Sequence, residues 1–264
     1  AAILMNVNNG EILSMVSLPD FDLNKRETIV DVNYINRVTK GTYELGSVFK
    51  TFTIASGINH GLIEPETKFL DSKKSINCGD GYTINEYDNK MPSDLSVENI
   101  LIKSGNIGSV RIVRKIGVEK HKSFLETIGI LDKISFDIDE VGKPLKIDWN
   151  EGCKIETIAF GHGITTTILQ LAKGYAIISN GGYEITPTLI KDNSNKRIKR
   201  LKVLSNDVSK KMNIMMRKVV SEGTAKLVNV EGYQVGGKTG TAEQVSNSIY
   251  SKTKINTLAS IFPT

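Results

Sequence analysis

Two strand-like, mostly apolar runs, 1–7 and 11–17, flank Asn8-Asn9-Gly10, the turn chemistry that closes a β-hairpin. Residues 19–42 show no period and carry Asp, Asn and Arg throughout, so they read as loop. At Ser47 the pattern changes. Val48, Phe49, Phe52, Ile54, Ala55 and Ile58 leave almost no polar stripe, which predicts a helix buried on nearly all sides and closed near Gly57 or Gly61. Residues 63–94 are polar, with short strand candidates and a turn over 78–81. Helical spacing returns over 95–103, 107–115 and 118–128, the last two stopped by Gly117 and Gly129. The turn Phe160-Gly161-His162-Gly163 precedes a helix over 166–180, stopped by Gly181-Gly182. Residues 183–191 read as extended around Pro187, and 207–221 as an amphipathic helix. The chain closes on a strand pair, 233–245 and 256–262, joined by a polar turn. Strands at both ends with helices between them predict an α+β fold, an antiparallel sheet of N- and C-terminal strands with helices on both sides.

With 264 residues the chain can bury a substantial core, and it reads as one domain over 1–264. No apolar run approaches the ~18 residues of a membrane span. The net charge of +5 is spread rather than striped. Its densest cluster, 196–202, reads as a solvated surface loop, and without aromatic and basic residues interleaved there is no case for nucleic-acid binding. Cys78 and Cys153 are the only cysteines. Their spacing matches no metal-ligand pattern, so no metal site is expected; no organic cofactor is expected either, and whether the two cysteines pair stays open.

The candidate chemistry begins in the buried helix. Ser47 and Lys50 are three apart, which places their side chains on one helix face. A lysine in so apolar a helix is either driven towards neutrality, as a base beside a nucleophilic serine, or snorkels to solvent while Ser47 caps the helix. The spacing alone is weak, since Ser-x-x-Lys recurs at 251–254 in a polar stretch. Two further motifs follow in order, Ser104-Gly105-Asn106 and Lys238-Thr239-Gly240-Thr241. Together the three are the motif set of penicillin-binding proteins and class A β-lactamases, with Ser-Gly-Asn in place of Ser-Asp-Asn.

The chain resembles the transpeptidase domain of class B penicillin-binding proteins. The resemblance also runs through Asn9-Gly10-Glu11-Ile12-Leu13-Ser14-Met15, Tyr43-Glu44-x-Gly46-Ser47-x-Phe49-Lys50, Gly161-His162-Gly163-Ile164, Leu169-Gln170-Leu171-Ala172, Gly223-Thr224-Ala225 and Gly236-Gly237-Lys238-Thr239-Gly240-Thr241-Ala242. It implies a D,D-transpeptidase that cross-links peptidoglycan stem peptides ending in D-Ala-D-Ala and is acylated by β-lactams. Catalytic roles would fall to Ser47 as nucleophile, Lys50 as base, Ser104 as proton relay and Lys238. Asn106, Thr239, Gly240 and Thr241 would bind substrate, and the N–H groups of Ser47 and Thr241 would form the oxyanion hole. His162 is expected to be structural. The resemblance also implies a site of action on the outer face of the bacterial cytoplasmic membrane, through an anchor outside this chain, beside divisome or elongasome membrane proteins. Leu45 and Ile168 stand where the family has proline, which would loosen local geometry. The family's last strand, placed between the first strand and 256–262, and its C-terminal helix are expected to be missing, so the chain reads as incomplete. The alternatives are a non-catalytic remnant or scaffold and, below that, a serine β-lactamase or a D,D-carboxypeptidase.

Overall fold

The two apolar runs at the start form β1 (Ala2–Met5) and β2 (Ile12–Val16), an antiparallel pair in register from Ala2↔Val16 to Leu4↔Ser14, with a shift before Met5↔Ile12. This computed structural model describes every residue except Arg26, Thr28, 30–33, Asp80, 192–199 and 247–248, and the backbone alone at 244–246 and 249–252. β3 (Thr42–Tyr43) leads through a tight 3-10 turn, Gly46–Phe49, into α1 (Lys50–Asn59). Four short strands follow: β4 (Lys68–Phe69), β5 (Ser75–Asn77), β6 (Thr83–Asn85) and β7 (Leu95–Ser96). β5 pairs with β6 and β4 with β7. Then come α2 (Val97–Lys103), α3 (Asn106–Ile116), α4 (Val118–Thr127) and the short α5 (Lys154–Ile158). β8 (Thr166–Thr167), α6 (Ile168–Ser179), α7 (Asn206–Ser221), β9 (Gly236–Ser246) and β10 (Ile249–Ile261) complete the chain.

The helix after Ser47 is as buried as its sequence predicts: every residue from Lys50 to Ile58 is out of solvent. It packs against α2, α3, α4 and α7. Phe49, Phe52 and Tyr175 meet edge to face, with successive ring centroids 5.4 Å apart, an arrangement the ring quadrupoles favour. The Tyr175 hydroxyl donates to the Val48 carbonyl (2.9 Å), tying α6 to the turn that carries Ser47.

Boundaries differ from expectation where a cap or a partner strand intervenes. The helices expected to begin at 95 and 166 begin two residues later, because Leu95–Ser96 and Thr166–Thr167 pair with β4 and β3. Ser96 and Thr167 then accept the N–H groups of Asn99 and Gln170 as N-caps. At α6 a capping box does what a proline would do: Thr167 and Gln170 bond reciprocally, and Gln170 Nε2 reaches the carbonyls of Gly129, Ile130 and Asp132. Ile168 therefore begins a firmly held helix. The polar stretch expected to be a turn before 256 is strand from Ile249, since a two-stranded ribbon can leave polar side chains in water on its faces. α5 was not expected; five residues are too few to show a period.

The first and last hairpins are separate two-stranded sheets, and α6 touches both β1 and β10. The strand that the resemblance places between them is not found among the described residues. Cys78 and Cys153 are disulfide-bonded, with Cα atoms 5.4 Å apart, which ties the β5–β6 hairpin to the start of α5. Of the basic cluster, 196–199 lie outside the described residues, while Arg200 and Lys202 both lie over the Tyr183 ring. No described helix is long and apolar enough to cross a membrane. Among the described residues no group of three or more His, Cys, Asp or Glu is placed to hold a metal ion.

Candidate active site

Three elements bring the three motifs together. The 3-10 turn and the first residue of α1 present Ser47 and Lys50; the α2–α3 junction presents Ser104 and Asn106; β9 presents Lys238 to Thr241. They line a cleft of about 1370 Å³, into which Ser47, Ser104, Asn106, Thr239 and Thr241 open. Exposed Tyr82 and Tyr87 stand on its rim.

The seam between the first motif and β9 is a backbone contact. Gly46 has φ +63, and a Cβ there would lie 2.4 Å from the Thr241 carbonyl oxygen; a Cβ on Gly240 would lie 2.3 Å from the Leu45 carbonyl oxygen. Both distances are far inside van der Waals contact, so side chains are excluded at both positions. The 161–163 turn is fixed against the same segment by one backbone and one side-chain bond, Gly46 N–H donating to the Gly161 carbonyl (3.3 Å) and Gly163 N–H donating to Glu44 Oε1 (2.9 Å).

Lys50 and Lys238 are both fully buried and meet at one hydroxyl. Lys50 Nζ donates to Asn106 Oδ1 (2.7 Å) and Ser104 Oγ (3.1 Å), and also to the Ser104 carbonyl. Lys238 Nζ donates to Ser104 Oγ (3.0 Å) and the Thr239 carbonyl (2.8 Å). Burial holds the Lys50 ammonium well below the usual lysine range; the Lys238 charge adds to this and Glu86 opposes it. Burial lowers Lys238 to about 7. Two ammonium groups sharing one acceptor in a dry site repel each other, so their titrations belong to the pair.

Ser47 is partly exposed, and its hydroxyl has no hydrogen-bond partner among the described residues. The structure thus places Ser47 beside the lysine pair without joining it to Lys50. Thr239 Oγ1 bonds to Thr224 Oγ1 (3.1 Å) and Thr241 Oγ1 to Asn256 Oδ1 (3.2 Å), both on the cleft side of β9. His162 lines the cleft with its ring against Phe160 (5.2 Å). Its pKa is lowered by burial and then by Lys50, and Nδ1 has no partner, so it sits as a neutral ring. The geometry can do acyl transfer: an open hydroxyl, a buried amine whose charged form burial disfavours, a hydroxyl between two amines and a strand edge for an extended chain.

Two residues without a sequence-based role shape the site. Glu86, just after β6, accepts the N–H groups of Asn106 (2.8 Å) and Ile107 (2.9 Å). Glu44 holds Gly163. Glu44 lies inside a recognisable motif, whereas nothing in the polar surroundings of Glu86 distinguishes it before folding.

Comparison with known proteins fits this geometry. The family description "Penicillin binding protein transpeptidase domain" matches residues 1–264. The chain is 31% identical to the probable peptidoglycan D,D-transpeptidase FtsI of Caulobacter vibrioides, over 99% of this chain and 45% of that protein. It is 30% identical to stage V sporulation protein D of Bacillus subtilis, over 94% of this chain and 40% of that protein. The chain therefore spans less than half the length of these relatives. Among solved structures, the transpeptidase domain of Burkholderia pseudomallei penicillin-binding protein 3 superposes with a TM-score of 0.86 at 25% identity, covering 99% of this chain and 75% of that one. On the match over its whole length, this chain belongs to the penicillin-binding protein transpeptidase domain family.

Proposed function

We propose that the chain is the acyl-transfer unit of a peptidoglycan D,D-transpeptidase working through a Ser47 acyl-enzyme. One observation carries this reading: Ser104 Oγ bridges two buried lysines beside an unengaged Ser47 hydroxyl at an open cleft. Ser47 Oγ attacks the carbonyl carbon of the penultimate D-alanine, and its proton passes to neutral Lys50 Nζ. The C–N bond to the terminal D-alanine breaks, and the proton returns through Ser104 to the leaving amine. The oxyanion is held by the N–H groups of Ser47 and Thr241, whose nearness the Gly46 seam supports; one such donor is worth ~10²–10³ in rate. Thr239 and Thr241 hold the terminal carboxylate, with the Lys238 charge behind the strand, and Asn106 orients Lys50 and the substrate amide. An amine of a second stem peptide then attacks the ester and frees Ser47. A β-lactam acylates Ser47 in the same way, and its ring-opened amine stays attached.

We place the reaction outside the cytoplasmic membrane, where peptidoglycan lies, beside membrane proteins of division or elongation. The Cys78–Cys153 bridge fits an oxidising compartment. The test is gel labelling with a fluorescent penicillin, alongside Ser47→Ala. Label on the wild type and none on the variant is expected. A chain shown folded by circular dichroism that takes no label would favour the scaffold reading instead.

A further inference from the structure

We infer that Glu86 is a positioning residue for the reaction: its carboxylate, carried on the β5–β6 hairpin, fixes the first turn of α3 so that Asn106 holds Lys50 in place. The inference rests on the acyl-transfer reading above and assigns a part to a residue outside the three motifs.

The geometry is specific. Gly105, the N-cap of α3, has no side chain with which to satisfy the helix's orphan N–H groups. Glu86 supplies both acceptors from another element, Oε2 to Asn106 N–H (2.8 Å) and Oε1 to Ile107 N–H (2.9 Å). The neighbouring Asn85 carbonyl accepts from Asn106 Nδ2 (3.0 Å), which leaves Oδ1 turned to Lys50 Nζ (2.7 Å). One hairpin end thus sets both the backbone and the amide orientation of Asn106. The hairpin is itself held: Glu86 N–H donates to the Lys74 carbonyl (2.9 Å), and its turn is bridged to α5 by Cys78–Cys153.

Charge gives the second half of the argument. The charged and titratable groups acting around Lys50 are Lys238 from β9, His162 from the 161–163 turn and Glu86. Among the described residues Glu86 is the anion that acts on Lys50, and it favours the protonated ammonium.

Glu86→Gln tests this. Glutamine keeps the size but turns an NH₂ group towards one of the two N–H donors. Penicillin acylation rates are measured from acid to alkaline pH, alongside an NMR titration of isotope-labelled lysine that follows Lys50 independently of activity. The plateau rate is expected to fall about tenfold through misplacement, with the acid limb and the Lys50 titration both moving to lower pH. A variant that loses only thermal stability, with plateau, limb and titration unchanged, would reduce Glu86 to a helix cap and overturn the inference. If the wild type takes no penicillin, the acyl-transfer reading fails by itself. In that event the Lys50 titration decides: a shift in Glu86→Gln keeps the clamp, and no shift removes it.

Discussion

Ser104 holds a backbone conformation that serine seldom takes. It ends α2 with φ +62 and ψ +40, in the left-handed region where a Cβ costs about 1 kcal/mol and glycine is the usual occupant. The same twist aims its hydroxyl between Lys50 and Lys238 and its carbonyl at Lys50. Strain and placement are one feature, so they should separate on mutation. Ser104→Gly relieves the left-handed strain but adds the entropy of a glycine in the unfolded chain. Its stability is expected to stay within about 1 kcal/mol of the wild type. Without the relay hydroxyl its penicillin acylation should fall by ~10²-fold or more. Ser104→Ala, which keeps the strain and loses the hydroxyl, should be as slow and less stable than the glycine variant. Stopped-flow acylation and thermal melts read both effects; a glycine variant that acylates at the wild-type rate would remove Ser104 from the proton path.

Among the elements, the β5–β6 hairpin is the smallest with the largest consequence. Three residues per strand cannot hold a hairpin in water, so its position depends on what it is fastened to. Closing the 75-residue separation between Cys78 and Cys153 removes, on a chain-entropy model, about 4 kcal/mol of unfolded-state freedom. The double variant Cys78→Ser, Cys153→Ser is therefore expected to melt at lower temperature and to acylate more slowly than the wild type. Chemical reduction of the wild type should reproduce both changes; equal melts and equal rates would show that the hairpin stands without its bridge. This element also marks how far the sequence could be read. The helix after Ser47 is local, so its apolar run discloses it, whereas the caps at Ser96 and Thr167 follow two-residue strands whose partners are distant, and the sequence pattern places those helix starts two residues early. The motifs place Ser47, Lys50, Ser104, Asn106 and Lys238 in one site because the family resemblance supplies what distance along the chain hides. Glu86 and the cysteine pair escape that reading, since their meaning lies wholly in partners far off in sequence. The early start of β10 escapes it for another reason: polar alternation on an open ribbon looks like a turn.

At the scale of the molecule, acid finds a buried weakness on α4. His121 on α4 is fully buried against α1, and neither ring nitrogen has a partner among the described residues. Burial, with repulsion from His60, lowers its pKa from 6.5 to about 3. The folded state thus keeps the ring neutral while the unfolded chain takes up a proton below about pH 6.5. Stability from this group is complete above that pH and is lost as pH falls towards 3, by roughly 3 kcal/mol between pH 7 and pH 4.5. Urea titrations at those two pH values should show the loss, and His121→Leu should show much less of it. Equal losses in both proteins would assign the acid sensitivity to other groups. The glycine seam has a different kind of consequence, for evolution under antibiotic pressure. Where Gly46 meets Thr241 and Gly240 meets Leu45 there is backbone on both sides and no room for any side chain. Lineages selected on a penicillin should therefore leave those positions untouched and gather their changes on the open rim, at residues such as Tyr82 and Tyr87, where a new side chain alters access to Ser47 without parting the two strands of chain that hold it.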